Sequence, residues 1–308
     1  MKIAALFAVA ALLVSPPVQR PPAAGSTLKF AWPPGTTALV ETEYERENGL
    51  ESAPERTSLR MTHRMRVLAH REGVDIRFED QRHIESGGNF EPAARALVHL
   101  WTPHTIVAAD GTFARIEGGE RVQDLVMATV APIERVSAAM PGLRAFLAPM
   151  LGERRLESLQ EDEWRKLVWQ WIGLSSTQAR LEIVGSDPVI PGVVIPTKRT
   201  IEIVERARCA RGAAAYECLT LEMRTSSTDS LALKSLFEPL IQALGLSALS
   251  LQPRDFENVN RVTLETATML PHESLQINTM HGAAVMNWSP VALEQVERRH
   301  ARFTYDPR

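Results

Sequence analysis

The sequence predicts a mainly β, α+β fold: a curved antiparallel sheet or half-barrel with several helices packed over it. Three observations predict it. Apolar and charged residues alternate over 59–67 with a period of two, and hairpin-type turn pairs punctuate the neighbouring segments. The apolar period then changes to helical spacing between 120 and 173. The composition agrees with this. Of 308 residues, 44% are hydrophobic and 23% charged, which suits a folded domain and argues against disorder.

Each element has its own signal. Ala38, Val40, Thr42 and Tyr44 alternate with Leu39, Glu41, Glu43 and Glu45, and Asn48-Gly49 follows as a turn pair. Leu59, Met61, His63, Met65 and Val67 alternate with Arg60, Thr62, Arg64 and Arg66, giving one apolar face and one basic face. Glu72-Gly73 turns the chain into Val74, Ile76 and Phe78. A strand pair is expected through 97–101 and 105–108, and Asp110-Gly111 leads into Phe113 and Ile116. The acidic row Glu41, Glu43, Glu45 and the basic row Arg60, Arg64, Arg66 are placed to pair across a solvated sheet face.

The helical insert spans 120–173. Val122, Leu125, Val126, Thr129, Val130, Ile133, Val136 and Met140 recur at helical spacing, with Pro132 as an interruption and Pro141-Gly142 as a break. Leu143, Phe146, Leu147 and Met150 form a second piece ending near Gly152. Ser158 with Glu161 reads as a capping box that opens a third, carrying Trp164, Leu167, Val168 and Trp171 and stopping at Gly173.

Strand patterning then returns. Ala179, Leu181 and Ile183 alternate with polar residues, and Pro188, Pro191 and Pro196 mark an edge region or loop. Residues 199–207 and 216–224 form a hairpin around Gly212. A helix is expected from Leu233 to Leu244, strands at 259–270 and 274–281, a last helix beginning at Ser289-Pro290, and a closing strand at Arg302–Tyr305.

Domain organisation follows. Residues 3–14 are an uncharged apolar run behind Lys2, too short to span a bilayer as a helix, so 1–24 reads as a signal peptide and 25–36 as a linker. Residues 37–308 form a single β-rich domain containing the insert. The only cysteines, Cys209 and Cys218, are expected to form a disulfide in an oxidising compartment. If they sit directly opposite one another, Glu205 faces Glu222, so a bulge near the turn is expected.

For function, a net charge of −3 argues against a nucleic-acid-coating protein. No metal site or cofactor motif is apparent in the spacing. Met61, His63, Met65, Ile76 and Phe78 share the inner face of two neighbouring strands and are the candidate lining of an apolar or lipid-binding cavity under the helices. The reading is an exported, non-enzymatic envelope protein with no transmembrane span in the mature chain. The alternatives are a hydrolase using His63, His99 or His104 with Asp110, and a purely structural domain.

Residues 264–271 read Leu-Glu-Thr-Ala-Thr-Met-Leu-Pro. Through Glu265, Thr268, Leu270 and Pro271 this segment resembles a late strand of the periplasmic lipoprotein carriers and their outer-membrane receptor relatives. Glu265 stands where those proteins usually carry Asp. The resemblance implies a curved antiparallel sheet with helices on its concave side.

Overall fold

A computed structural model describes residues 27–50, 53–87, 104–118, 153–177, 180–190, 193–234, 250–286 and 289–306. The strands are β1 (Thr37–Leu50), β2 (Ala53–His70), β3 (Gly73–Gly87), β4 (His104–Ala108), β5 (Phe113–Glu117), β6 (Arg180–Ile190), β7 (Val193–Arg211), β8 (Ala214–Ser227), β9 (Ser250–Glu265), β10 (Pro271–Met286) and β11 (Ser289–Tyr305). They make one open antiparallel sheet in the order β5-β4-β3-β2-β1-β11-β10-β9-β8-β7-β6. The first and last strands therefore meet in its middle. The chain walks outward from β1 to β5, then resumes at the far edge with β6 and walks back to β11. The β1–β11 seam runs from Ala38 opposite Tyr305 to Leu50 opposite Leu293. One α-helix, α1 (Glu153–Leu167), lies in the connection between the two edges, followed by a 3-10 turn at Trp169–Trp171.

The sheet does not carry the several helices expected from the sequence among the described residues. Among the described residues the helical structure is α1, the 3-10 turn and a short start at 230–234. The expected pieces between 120 and 150, the strand at 97–101 and the leader and linker up to residue 26 lie outside the described residues. Helix α1 starts at Glu153, so Ser158 sits inside it and does not cap it. Good helix formers at Arg154, Arg155 and Leu156 extend the helix towards its N-terminus. Trp164, Val168 and Trp171 are buried as the spacing predicts, and Gly173 ends the segment at φ +76°. Asp229 caps the helical start at 230–234, its carboxylate accepting from the Ala232 N–H at 3.0 Å. Residues beyond Lys234 in that expected helix are outside the described set.

Two turn and cap signals are overridden. Asn48-Gly49 stays extended, because β1 has a partner on each side: Gly49 faces Pro54 on β2 and Glu294 on β11. Ser289-Pro290 opens a strand and no helix. Pro290 sits at the beginning of β11, where its missing N–H is tolerated, and the rest of the strand completes two ladders. The expected closing strand Arg302–Tyr305 is the end of this same 17-residue strand.

The β2 alternation is observed. Leu59, Met61, His63, Met65 and Val67 are buried, while Arg60, Arg64 and Arg66 are exposed. The outer charges pair locally: Arg60 with Glu43 at 3.6 Å, Arg66 with Glu79 at 3.3 Å, Arg64 with Asp80 at 3.9 Å. Glu45 turns the other way, to Arg298 of β11 at 3.9 Å. Such exposed pairs contribute at most about 1 kcal/mol each.

The cysteine hairpin is present, with Cys209 and Cys218 bonded and their Cα atoms 5.9 Å apart. Its register differs from the directly opposed one. Cys209 faces Tyr216 and Ala207 faces Cys218, so the bridge is diagonal. The register running from the turn puts Glu205 opposite Thr220, and a shift between Ile203 and Glu205, well away from the turn, then puts Glu202 opposite Glu222. The edge strand β6 carries Pro188, the position where a sheet accepts proline.

The core gathers at one end of the sheet. Met65, Val67, Val74 and Ile76 from one flank join Leu219, Leu221, Val262 and Leu264 from the other. Phe30, Trp32, Trp164 and Trp171 fill the space between. Residues 28–32 are held there by backbone bonds to Leu174, Gly173 and Thr268.

Candidate functional site

A cavity lies between the inner face of the sheet and α1. Period two places Val40 and Thr42, Ile76 and Phe78, Ser274 and Gln276, and Arg299, Ala301 and Phe303 on that face, with His63 and Thr105 beside them. Helix α1 supplies Gln160, Glu163, Trp164 and Leu167, an i, i+3, i+4, i+7 set that shares one helix face. Trp32 completes the lining. The cavity offers about 50 Å³ to the centres of water molecules, room for a handful at about 10–15 Å³ each.

One end is apolar. The rings of Trp32 and Trp164 meet edge-on with centroids 5.2 Å apart, and Phe30 packs on both. Their indole N–H groups are satisfied by backbone: Trp32 Nε1 donates to the Met269 carbonyl at 3.0 Å, and Trp164 Nε1 to the Gly111 carbonyl at 2.8 Å.

The other end is polar. Arg299 of β11 forms an ion pair with Glu163 of α1. Burial disfavours the Glu163 carboxylate, but Arg299 and Lys166 outweigh that and hold it below the usual carboxylate range. Lys166 also pairs with Asp162 at 2.7 Å. The Lys166 carbonyl, near the C-terminus of α1, accepts from Asn260 Nδ2 at 2.7 Å, Gln170 Nε2 at 2.9 Å and Trp171 Nε1 at 3.0 Å. The helix end is thus tied to β9. Further along the same sheet face, Arg46 pairs with Glu297 at 3.3 Å, and Gln295 Nε2 donates to Glu297 at 2.9 Å. Burial pushes Glu297 above the usual carboxylate range and, with Glu297 adding to it, pushes the Tyr44 hydroxyl up as well.

The sequence-derived lining divides. His63, Ile76 and Phe78 line the cavity. Met65 is fully buried in the main core cluster, Met61 is buried on the same strand, and neither is a lining residue. His63 is 1% exposed and packs edge-on against Phe78 at 5.1 Å. Burial, aided by the Arg299 charge, lowers its pKa to about 3, so it is neutral at physiological pH.

Of the hydrolase candidates, the described His104 and Asp110 do not converge. His104 and Asp110 bracket β4 from opposite ends, a separation of about 15 Å or more. Asp110 closes the β4–β5 turn, accepting from the Thr112 N–H at 2.9 Å. His104 stands 3.8 Å from Asp75, and His99 is outside the described residues. Among the described residues, Cys209, Cys218 and His272 bring donor atoms within metal reach of one another. The disulfide consumes both thiolates, so the trio has no metal-binding sulfur.

Glu265 and Thr268 form a local network at the β9–β10 turn. Glu265 is fully buried and accepts from Thr268 Oγ1 at 2.6 Å, with His272 at 3.2 Å and Arg211 at 3.4 Å. Burial opposes its charge, but these partners hold its pKa below the usual range.

Sequence reasoning did not single out Glu163, Gln276 or Arg299. A signal existed for Arg299: the row Arg299, Ala301, Phe303, Tyr305 has strand period, but Gln295, Glu297 and Arg299 at its start remove the apolar contrast. Glu163 and Arg299 are 136 positions apart, a pairing no local pattern reveals.

No protein-family model matches the chain, and no curated protein matches it. Among solved structures, lipovitellin, from a study titled for its lipid–protein interactions, aligns with a TM-score of 0.43 and 10% identity. That alignment covers 88% of this chain and 25% of that chain, so the chain spans about a quarter of lipovitellin's length. OccK5 (OpdH) from Pseudomonas aeruginosa gives a TM-score of 0.22 and 6% identity over 92% of this chain and 100% of that chain. The COG4313 outer membrane channel from Pseudomonas putida F1 gives 0.14 and 6% over 89% and 97%.

Proposed function

We propose that this is an exported, non-enzymatic envelope protein that holds an apolar or lipid-like ligand between its sheet and α1. The observation that carries the reading is the cavity itself, lying between a sheet face and a helix, with aromatic and aliphatic walls and a small polar end. Six neighbouring strands, from β4 through β1 and β11 to β10, contribute to it. A flat sheet would spread them over about 24 Å, so the reading takes the sheet as curved around the cavity, the half-barrel expected from the sequence. The space has the volume of a handful of waters, less than an acyl chain needs, so an alkyl ligand requires α1 with Trp164 and Leu167 to move outward. Export rests on the apolar run at residues 3–14. The likeness to the lipoprotein carriers rests on the 264–271 segment.

The test is native mass spectrometry and solvent extraction of the full-length protein purified from the cell envelope. The expected result is a stoichiometric co-purifying molecule with an alkyl chain. Protein that carries none and does not bind an apolar fluorescent probe would leave a packed structural domain as the better reading.

A further inference from the structure

The charges lining the cavity balance one another. Glu163 and Arg299 both line it and are paired with each other, and the remaining lining side chains are neutral at physiological pH, His63 included. Around the ion pair stand the amides of Gln160 and Gln276 and the hydroxyls of Thr42 and Ser274. These groups both donate and accept. The change from polar to apolar runs along β11, from Arg299 through Ala301 to Phe303, about 6.6 Å for each two-residue step. A ligand with one hydrogen-bonding end and one alkyl end matches that gradient. A ligand bringing a net charge would meet a lining whose own charges already pair with each other. The space now available is that of a handful of waters, comparable with a small polyol whose hydroxyls replace them.

We infer that the polar end is a headgroup site for an uncharged, hydroxyl-bearing amphiphile, of which a monoacylglycerol is the simplest form, and that it rejects the carboxylate and the amine of the same chain length. The inference rests on the apolar-ligand reading above and names its headgroup. Glu163 and Arg299 set the selectivity, since they are the charged groups of the lining and pair with each other, while Lys166 beside Glu163 is paired with Asp162.

The experiment is calorimetric titration of the full-length protein at neutral pH with three probes sharing one saturated chain: a monoacylglycerol, the free carboxylate and the primary amine, each below its micelle concentration. The monoacylglycerol is expected to bind at least about tenfold more tightly than either ion. Equal or tighter binding of the carboxylate or the amine overturns the headgroup assignment and leaves the apolar-ligand reading standing. Failure of all three to bind overturns both. In Glu163→Gln the lining loses its carboxylate and keeps the guanidinium of Arg299, so the carboxylate probe should gain at least about tenfold relative to the monoacylglycerol. An unchanged ratio in a folded variant overturns the role given to the pair. The wild-type series decides the question by itself if the variant does not fold.

Discussion

The indole N–H of Trp164 donates to the carbonyl of Gly111 across 2.8 Å, joining the cavity-facing side of α1 to the tip of the β4–β5 hairpin. The backbone angle and the packing at that point require a glycine. Gly111 adopts φ +90°, and a Cβ there would lie 2.4 Å from Ile172 Cδ1 and 2.7 Å from Phe30 Cβ. The turn, the 28–32 segment and the helix are therefore fitted to one another. Moving any one of them disturbs the aromatic end of the cavity.

Gly111→Ala is expected to destabilise the protein by about 2–3 kcal/mol, combining positive-φ strain with an aromatic cluster that must shift. Urea unfolding followed by tryptophan fluorescence measures this. A midpoint equal to that of the wild type would show that the hairpin tip is free to relax away from α1.

Met65 and Arg64 are neighbours on β2 with opposite surroundings, one fully buried and one exposed beside Asp80. Met65→Asp should cost more than about 3 kcal/mol, because it buries an uncompensated carboxylate. Arg64→Ala should stay within about 0.5 kcal/mol. Comparable losses in the two variants, measured by chemical denaturation, would contradict the inside–outside assignment of this strand.

The Cys209–Cys218 bridge predicts no titratable thiol in the unreduced, denatured protein. Replacing both cysteines with serine should lower stability by about 2–3 kcal/mol, the chain-entropy value for a loop this short. Detection of two reactive thiols in protein recovered from an oxidising compartment would refute the pairing.

His63 gives stability a pH dependence of defined sign. Its folded pKa, about 3, is below the ordinary 6.5, so the unfolded chain binds the proton more readily. The stabilisation is fully present above pH 6.5 and is lost progressively as pH falls towards 3. Between pH 6.5 and about 5 the depressed carboxylates Glu163 and Glu265 contribute little, because they lose stability only below the ordinary carboxylate range. Glu297 and His281, whose pKa values are raised, act in the opposite sense in both proteins, so the unfolding midpoint of the wild type should fall relative to that of His63→Gln as the pH drops over that interval. Parallel profiles for the two proteins would remove His63 as the cause.

The sequence by itself determined the β class, the inward row on β2 and the hairpin turns at Glu72-Gly73 and Asp110-Gly111. It also determined the cysteine hairpin and the buried stripe of Trp164, Val168 and Trp171. These are local properties: a period of two or 3.6, or a turn residue, is written in a few consecutive positions. Three of the five residues read as cavity lining, His63, Ile76 and Phe78, reach it by the same logic. Only the tertiary structure decided that β1 and β11 pair at the centre of the sheet, which turned Asn48-Gly49 and Ser289-Pro290 from a turn and a helix cap into strand. It alone placed Met65 in the core instead of the cavity. It also joined Glu163 to Arg299 and Asn260 to the end of α1. Each of these depends on which distant segment lies opposite. A polar side chain on a buried sheet face reads as solvent-exposed until its partner, more than ninety positions away, is brought against it.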